Sequence, residues 1–146
     1  MGKKAGMILL GSFLIVGLAG WGRPGASPNE MLVARGKYLV NNVAQCGDCH
    51  TPRMANGELD PSRWLQGTLL DFQPIGSVPH WAKHAPAIAG LHWDTADAIK
   101  FFETGHGPRG GVPDPPMPQY HMNHHDASAV VAYLKSLPSP RKQSQH

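Results

Sequence analysis

Cys46-Gly47-Asp48-Cys49-His50 contains both cysteines of the 146-residue chain, with a histidine directly after the second. This run constrains everything around it. Each thiol can add to one vinyl group of a haem, and a histidine at that position can bind the iron from one face. Other uses of two cysteines fit less well. A redox-active pair needs C-x-x-C at the head of a helix in a βαβ pattern, and no alternation of strand and helix surrounds Cys46. A tetrahedral zinc site wants a second ligand pair of comparable regularity; there is no third cysteine, although nine histidines could contribute. A disulfide across two residues would be strained and would stabilise little. The sequence therefore predicts one covalently attached haem, held by Cys46 and Cys49, with His50 as an iron ligand.

A covalent haem also accounts for the composition. With 17 glycines, 14 prolines and 41% hydrophobic residues, the chain is too irregular to build a large core from its own side chains. A haem supplies a large apolar body for short helices and loops to wrap. The formal charge of +3 falls to about +1 once Lys3 and Lys4 are set aside with the N-terminal segment. No basic run remains, and nucleic-acid binding has no support in the sequence.

Residues 1–22 are expected to be an export signal or a membrane anchor. Lys3 and Lys4 form a positive start, Ala5 to Gly22 is free of charge, and Gly17-Leu18-Ala19 is a tolerable cleavage site. As a helix, the uncharged run would span about 27 Å, just enough to cross a bilayer. Either form places the following domain on the periplasmic side of the cytoplasmic membrane, tethered or released. Residues 23–27 form a linker, 28–138 the domain, and 139–146 a polar tail expected to be disordered.

Within the domain, Ser27-Pro28-Asn29-Glu30 starts a helix with a capping box. Its apolar stripe is Leu32, Gly36, Leu39, Val40 and Val43, and Gly36 suggests a close crossing by another helix. Residues 51–93 are broken by prolines. Trp64, Leu65, Leu69, Leu70, Phe72, Ile75, Trp81, Ile88 and Leu91 are expected to line the haem, and Arg53, Arg63 or Trp64 to bond its propionates. Asp94 caps a second helix carrying Ala98, Ile99 and Phe102, stopped at Gly105. Asn123 caps a third, with Ala127, Val130, Val131, Leu134 and Leu137 on one stripe and Pro138 as its end.

An electron-carrying haem needs a second axial ligand, and a thioether raises its potential. Met117 is the candidate, in a loop stiffened by Pro115, Pro116 and Pro118. Met122 is its competitor, whereas Met31 and Met54 fit gap-filling roles in a core. A histidine as second ligand, or an open sixth position, are the alternatives. His124 and His125 could in principle catch a metal.

The capped helix with Gly36, the C-x-x-C-H run, the proline-flanked Met117 and a last helix carrying Tyr133 resemble a class I c-type cytochrome of the bacterial monohaem type. The resemblance covers roughly Leu32 to Pro138. It implies an all-α fold of three or more short helices and long loops wrapped round one haem c, here preceded by an N-terminal hydrophobic helix. It further implies that the first and last helices cross closely, Gly36 meeting Tyr133, although Gly36 stands further from Cys46 than in mitochondrial-type members. The runs Gly36 to Val40 and Ala129 to Leu137 are similar to bacterial members, some of them haem subunits of membrane-bound dehydrogenases and oxidases. The expected role is one-electron transfer with membrane or periplasmic redox proteins, with no enzyme activity or small-molecule substrate of its own. The alternative is a gas sensor or haem enzyme with a labile sixth position, for which His106 and Arg109 form the nearest acid–base couple.

Overall fold

A computed structural model describes Gly2 and residues 25–140. The signal or anchor read over residues 1–22, and with it the N-terminal hydrophobic helix, lies outside the described residues, as do the first linker residues and most of the tail. No helix among the described residues is long and apolar enough to cross a membrane.

Helix α1, Pro28–Tyr38, begins at the expected capping box. Ser27 Oγ accepts from the Glu30 amide at 3.2 Å, and the Glu30 carboxylate accepts from the Ser27 amide at 2.6 Å. The helix does not stop at Tyr38 but widens into one π-helical turn, Leu39–Val43. Gln45, in the left-handed region at φ 49°, then turns the chain into α2, Gly47–His50. Helix α3, Thr95–Thr104, is capped by the Asp94 carboxylate and closed by Gly105 at φ 72°. Helix α4, His124–Ser136, starts at Asn123, whose side chain accepts from the Asp126 amide at 2.9 Å.

Among the described residues, four α-helices and long loops make up the domain, with one antiparallel ladder of two residues a side. Its strands are β1, Thr68–Leu69, and β2, His84–Ala85, with Thr68 opposite Ala85 and Leu69 opposite His84. This ladder is an addition to the all-α expectation. It closes off residues 70–83 within the long connection between α2 and α3.

The core is organised on α4, whose Ala127, Ala129, Val130, Val131, Tyr133 and Leu134 are all buried. Apolar side chains on more than one stripe are needed because α1 covers one side of α4 and α3 another. The α1–α4 crossing falls at Gly36, where an added Cβ would overlap the Ala129 carbonyl and lie 2.8 Å from Tyr133 Cβ. Arg35 ties the same pair together from outside, its guanidinium donating to both carboxylate oxygens of Asp126 at 2.9 and 3.2 Å.

Several expectations need correction. Val43 is exposed, because the π-turn rotates it off the stripe that buries Gly36, Leu39 and Val40. Phe101 is buried beside Ala98 and Phe102, so α3 inserts a wider face than expected. Met31 and Met54 are exposed and fill no core gap. Ser139, assigned to the tail, packs so closely on Gly90 that a Cβ there would overlap it.

Candidate functional site

Cys46 stands at the N-terminus of α2, with Cys49 and His50 three and four positions on. One helical turn therefore brings all three onto one face. The helix is too short to hold itself, and its surroundings clamp it. The Gly67 amide donates to the His50 carbonyl at 2.8 Å, and the Thr51 hydroxyl accepts from the Leu65 amide at 3.0 Å. The Trp64 ring occupies the space a Cβ on residue 47 would need, which explains the glycine inside the motif. Leu65, wholly buried at φ 56°, in turn accepts through its carbonyl from the Ile88 and Ala89 amides.

His50 is buried, and its Nδ1 lies 2.8 Å from the Pro86 carbonyl. A carbonyl can only accept, so Nδ1 carries the hydrogen and Nε2 is left with a lone pair. Burial lowers the imidazole's pKa and keeps it neutral, partly countered by the Pro86 hydrogen bond. A neutral imidazole of fixed tautomer is suited to bind a metal through Nε2. Burial also pushes the Cys46 thiol up to about 11 and raises that of Cys49. These are not the acidic thiols of a redox-active pair.

Beside α2 opens a cavity of about 500 Å³. Cys46, Cys49, His50 and Met117 all line it, and so do Leu70, Ile88, Leu91, Phe101, Phe102 and Leu134 from the surrounding loops and helices. A volume of this size with mostly apolar walls is typical of a cofactor site. Met122 does not line the cavity. Its amide bonds the Phe102 carbonyl at 2.9 Å and its side chain packs on the core. Of the couple His106 and Arg109, only Arg109 lines the cavity, and His84 reaches it from β2.

The residues present fit a covalently held haem. Two thiols, one oriented imidazole and one thioether line a space whose remaining wall is mostly apolar. Two polar groups near it lack partners among the described residues. Trp81 Nε1 is buried without a hydrogen bond, directly before the cavity-lining Ala82. Arg109 makes no ion pair or hydrogen bond. The groups expected to meet the propionates are elsewhere. Arg63 pairs with Asp60 at 2.7 Å, Arg53 bonds the Gly57 carbonyl at 2.9 Å, and Trp64 packs on α2. Of the side chains expected to line the haem, Leu70, Ile88 and Leu91 line the cavity, whereas Leu65 is core and Leu69, Phe72 and Ile75 are exposed.

Tyr120, absent from the expectations, lines the cavity three residues after Met117. Its ring tilts against Phe102 at 6.0 Å, and its hydroxyl donates to the Ala44 carbonyl at 3.4 Å. Burial, with Cys46 beside it, pushes the phenol up to about 12. An aromatic residue near the C-terminal end of a proline-rich loop was the available signal. The Pro86 carbonyl had none, since any residue supplies one. No group of three metal-binding side chains exists among the described residues. His124 instead pairs with Glu103 at 2.8 Å.

A four-helix fold built round an apolar cavity, with a C-x-x-C-H turn in its wall, defines a c-type haem protein. The chain belongs to the cytochrome c family, whose model (Cytochrome c) matches residues 33–138. Members of this family carry electrons on covalently bound haem c. Among curated proteins, the chain is similar to a diheme cytochrome c-type protein of Cereibacter sphaeroides, 33% identical over 90% of this chain and 44% of that protein. It is also similar to the fructose dehydrogenase cytochrome subunit of Gluconobacter japonicus, 34% identical over 76% of this chain and 23% of the relative. The cytochrome c subunit of the quinone alcohol dehydrogenase of Gluconobacter oxydans is 32% identical over 73% of this chain and 24% of its own length. The chain thus spans less than half the length of these relatives.

Proposed function

We propose that this chain is a one-electron carrier holding a single haem c, attached through Cys46 and Cys49 and ligated by His50 Nε2 and the Met117 thioether. The observation that carries the reading is the convergence of these four side chains on one apolar cavity, with His50 Nδ1 already used by the Pro86 carbonyl. The haem supplies a one-electron couple. The protein's part is to exclude water with its apolar wall, to fix the imidazole, and to present a soft sulfur ligand that favours the reduced iron. Arg109 and Trp81 Nε1 are the groups assigned to the haem carboxylates, in place of Arg53, Arg63 and Trp64.

The domain works on the periplasmic side of the cytoplasmic membrane, tethered through residues 5–22 or released. Its redox partner is a membrane or periplasmic protein. The dehydrogenase subunits among its relatives support the role of an electron-accepting module in such a complex. Visible absorption of the purified protein, oxidised and reduced, with and without carbon monoxide, tests the reading. A far-red thioether-to-ferric band without carbon monoxide binding is expected, and Met117→Ala should abolish that band. High-spin bands with ready carbon monoxide binding would move the protein to the sensor or enzyme class.

A further inference from the structure

The loop that carries Met117 is pinned at three places. The Pro115 carbonyl accepts from the Ala82 amide at 2.7 Å, the Met117 amide donates to the Asp114 carbonyl at 3.2 Å, and the Met122 amide donates to the Phe102 carbonyl at 2.9 Å. None of these reaches the segment that bears the two cysteines. Among the described residues, this loop is tied to residues 39–50 by the Tyr120 hydroxyl, which donates to the Ala44 carbonyl at 3.4 Å with Cys46 beside it. The acceptor follows from the local fold. Ala44 closes the π-turn, so its carbonyl has no partner further along the helix and points out of the helix end. Gln45 then turns away in the left-handed region, leaving that carbonyl in the cavity wall next to Cys46.

From this geometry we infer that Tyr120 is a positioning residue for the second axial ligand. Its hydroxyl latches the Met117 loop to the haem-attachment segment and so holds the thioether in the ligating position. The inference rests on the proposed role of Met117. A thioether is a weak ligand that an external base can displace, and the loop must swing away from the cavity wall to release it. A latch three residues from the sulfur opposes that movement. The ring of Tyr120 does not need the hydroxyl to pack on Phe102, so Tyr120→Phe separates the latch from the packing.

The test is the affinity of the ferric haem-loaded protein for imidazole, which reads how readily the native second ligand leaves. It is measured in the unaltered protein, Tyr120→Phe and Met117→Ala, alongside the far-red band and urea unfolding of each. Tyr120→Phe should keep the far-red band yet bind imidazole about 2- to 10-fold more tightly, the range one net hydrogen bond allows. Unchanged imidazole affinity would overturn the latch, whether or not the variant is less stable to urea, since a merely structural hydroxyl would shift only the unfolding midpoint. A far-red band surviving in Met117→Ala would instead overturn the ligand assignment on which the latch depends. Loss of the band in Met117→Ala with no change in Tyr120→Phe would leave the ligand assignment standing and reject the latch alone.

Discussion

Asp126 shows how a single side chain can couple the two ends of this chain. It sits in the first turn of α4, where Asn123 caps, and accepts a two-pronged bond from Arg35 of α1. The hydrogen bonds from the Arg35 guanidinium hold its carboxyl below the usual carboxylate range. The unfolded chain therefore takes up this proton more readily than the folded one. The stabilisation is fully present above the ordinary value, about pH 4, and fades as the pH falls below it. Asp126→Asn should lower the urea midpoint at neutral pH and flatten the decline in stability below about pH 4. An unchanged slope across that window would mean that water already screens the pair. Residue-scale chemistry of this local kind was readable beforehand where it depends on neighbours in sequence. Ser27, Asp94 and Asn123 act as the caps their spacing implied. Arg53 and Arg63, weighed as propionate partners, do not line the cavity. Arg63 is held by Asp60 three residues away, and Arg53 is shared between the Gly57 carbonyl and Asp71, away from the cavity wall.

At the scale of elements, the α1–α4 crossing decides whether the domain forms. Gly36→Ala would drive a methyl group into the Ala129 carbonyl, which belongs to helical backbone and cannot turn aside. A cost of about 1–3 kcal/mol is expected, seen as a thermal midpoint lowered by several degrees or more. A variant as stable as the parent would mean that the helices slide apart freely. The longer spacing from Gly36 to Cys46 has a structural counterpart in the π-turn over Leu39–Val43, which takes in an extra residue before the motif begins. Nothing in the sequence marks that turn, because Leu-Val-Asn-Asn-Val suits an ordinary helix equally well. The β1–β2 ladder was equally hidden. Two residues a side carry no period to read, and the pairing exists only because the loop between them folds back on itself.

Taken as a whole, the molecule has a core interrupted by its cofactor site. The cavity shares Phe101, Phe102 and Leu134 with the apolar cluster around α4. Replacing Cys46 and Cys49 with Ser should therefore do more than lose the haem. The chain should keep far-UV helical signal while losing near-UV signal and binding hydrophobic dyes, as a core without fixed packing does. A cooperative thermal transition in that variant would show that the helices close over the space unaided. A short motif and a proline-flanked methionine were enough to pick out Cys46, Cys49, His50 and Met117, which line one cavity. The wall around it was not legible in that way, since the exposed Ile75 and the cavity-lining Leu91 are the same kind of residue in the same kind of loop. Only the path of the backbone separates them.

The joining of α1 to α4 also bears on when the molecule can form. Arg35 and Asp126 are 91 residues apart, so the crossing that completes the core cannot exist until nearly all of the domain has been synthesised. Contacts of such long range are made late and slowly. Until then the segment that carries Cys46 and Cys49 is not yet enclosed by that crossing. The topology thereby places the closing of α1 on α4 last in the formation of the domain.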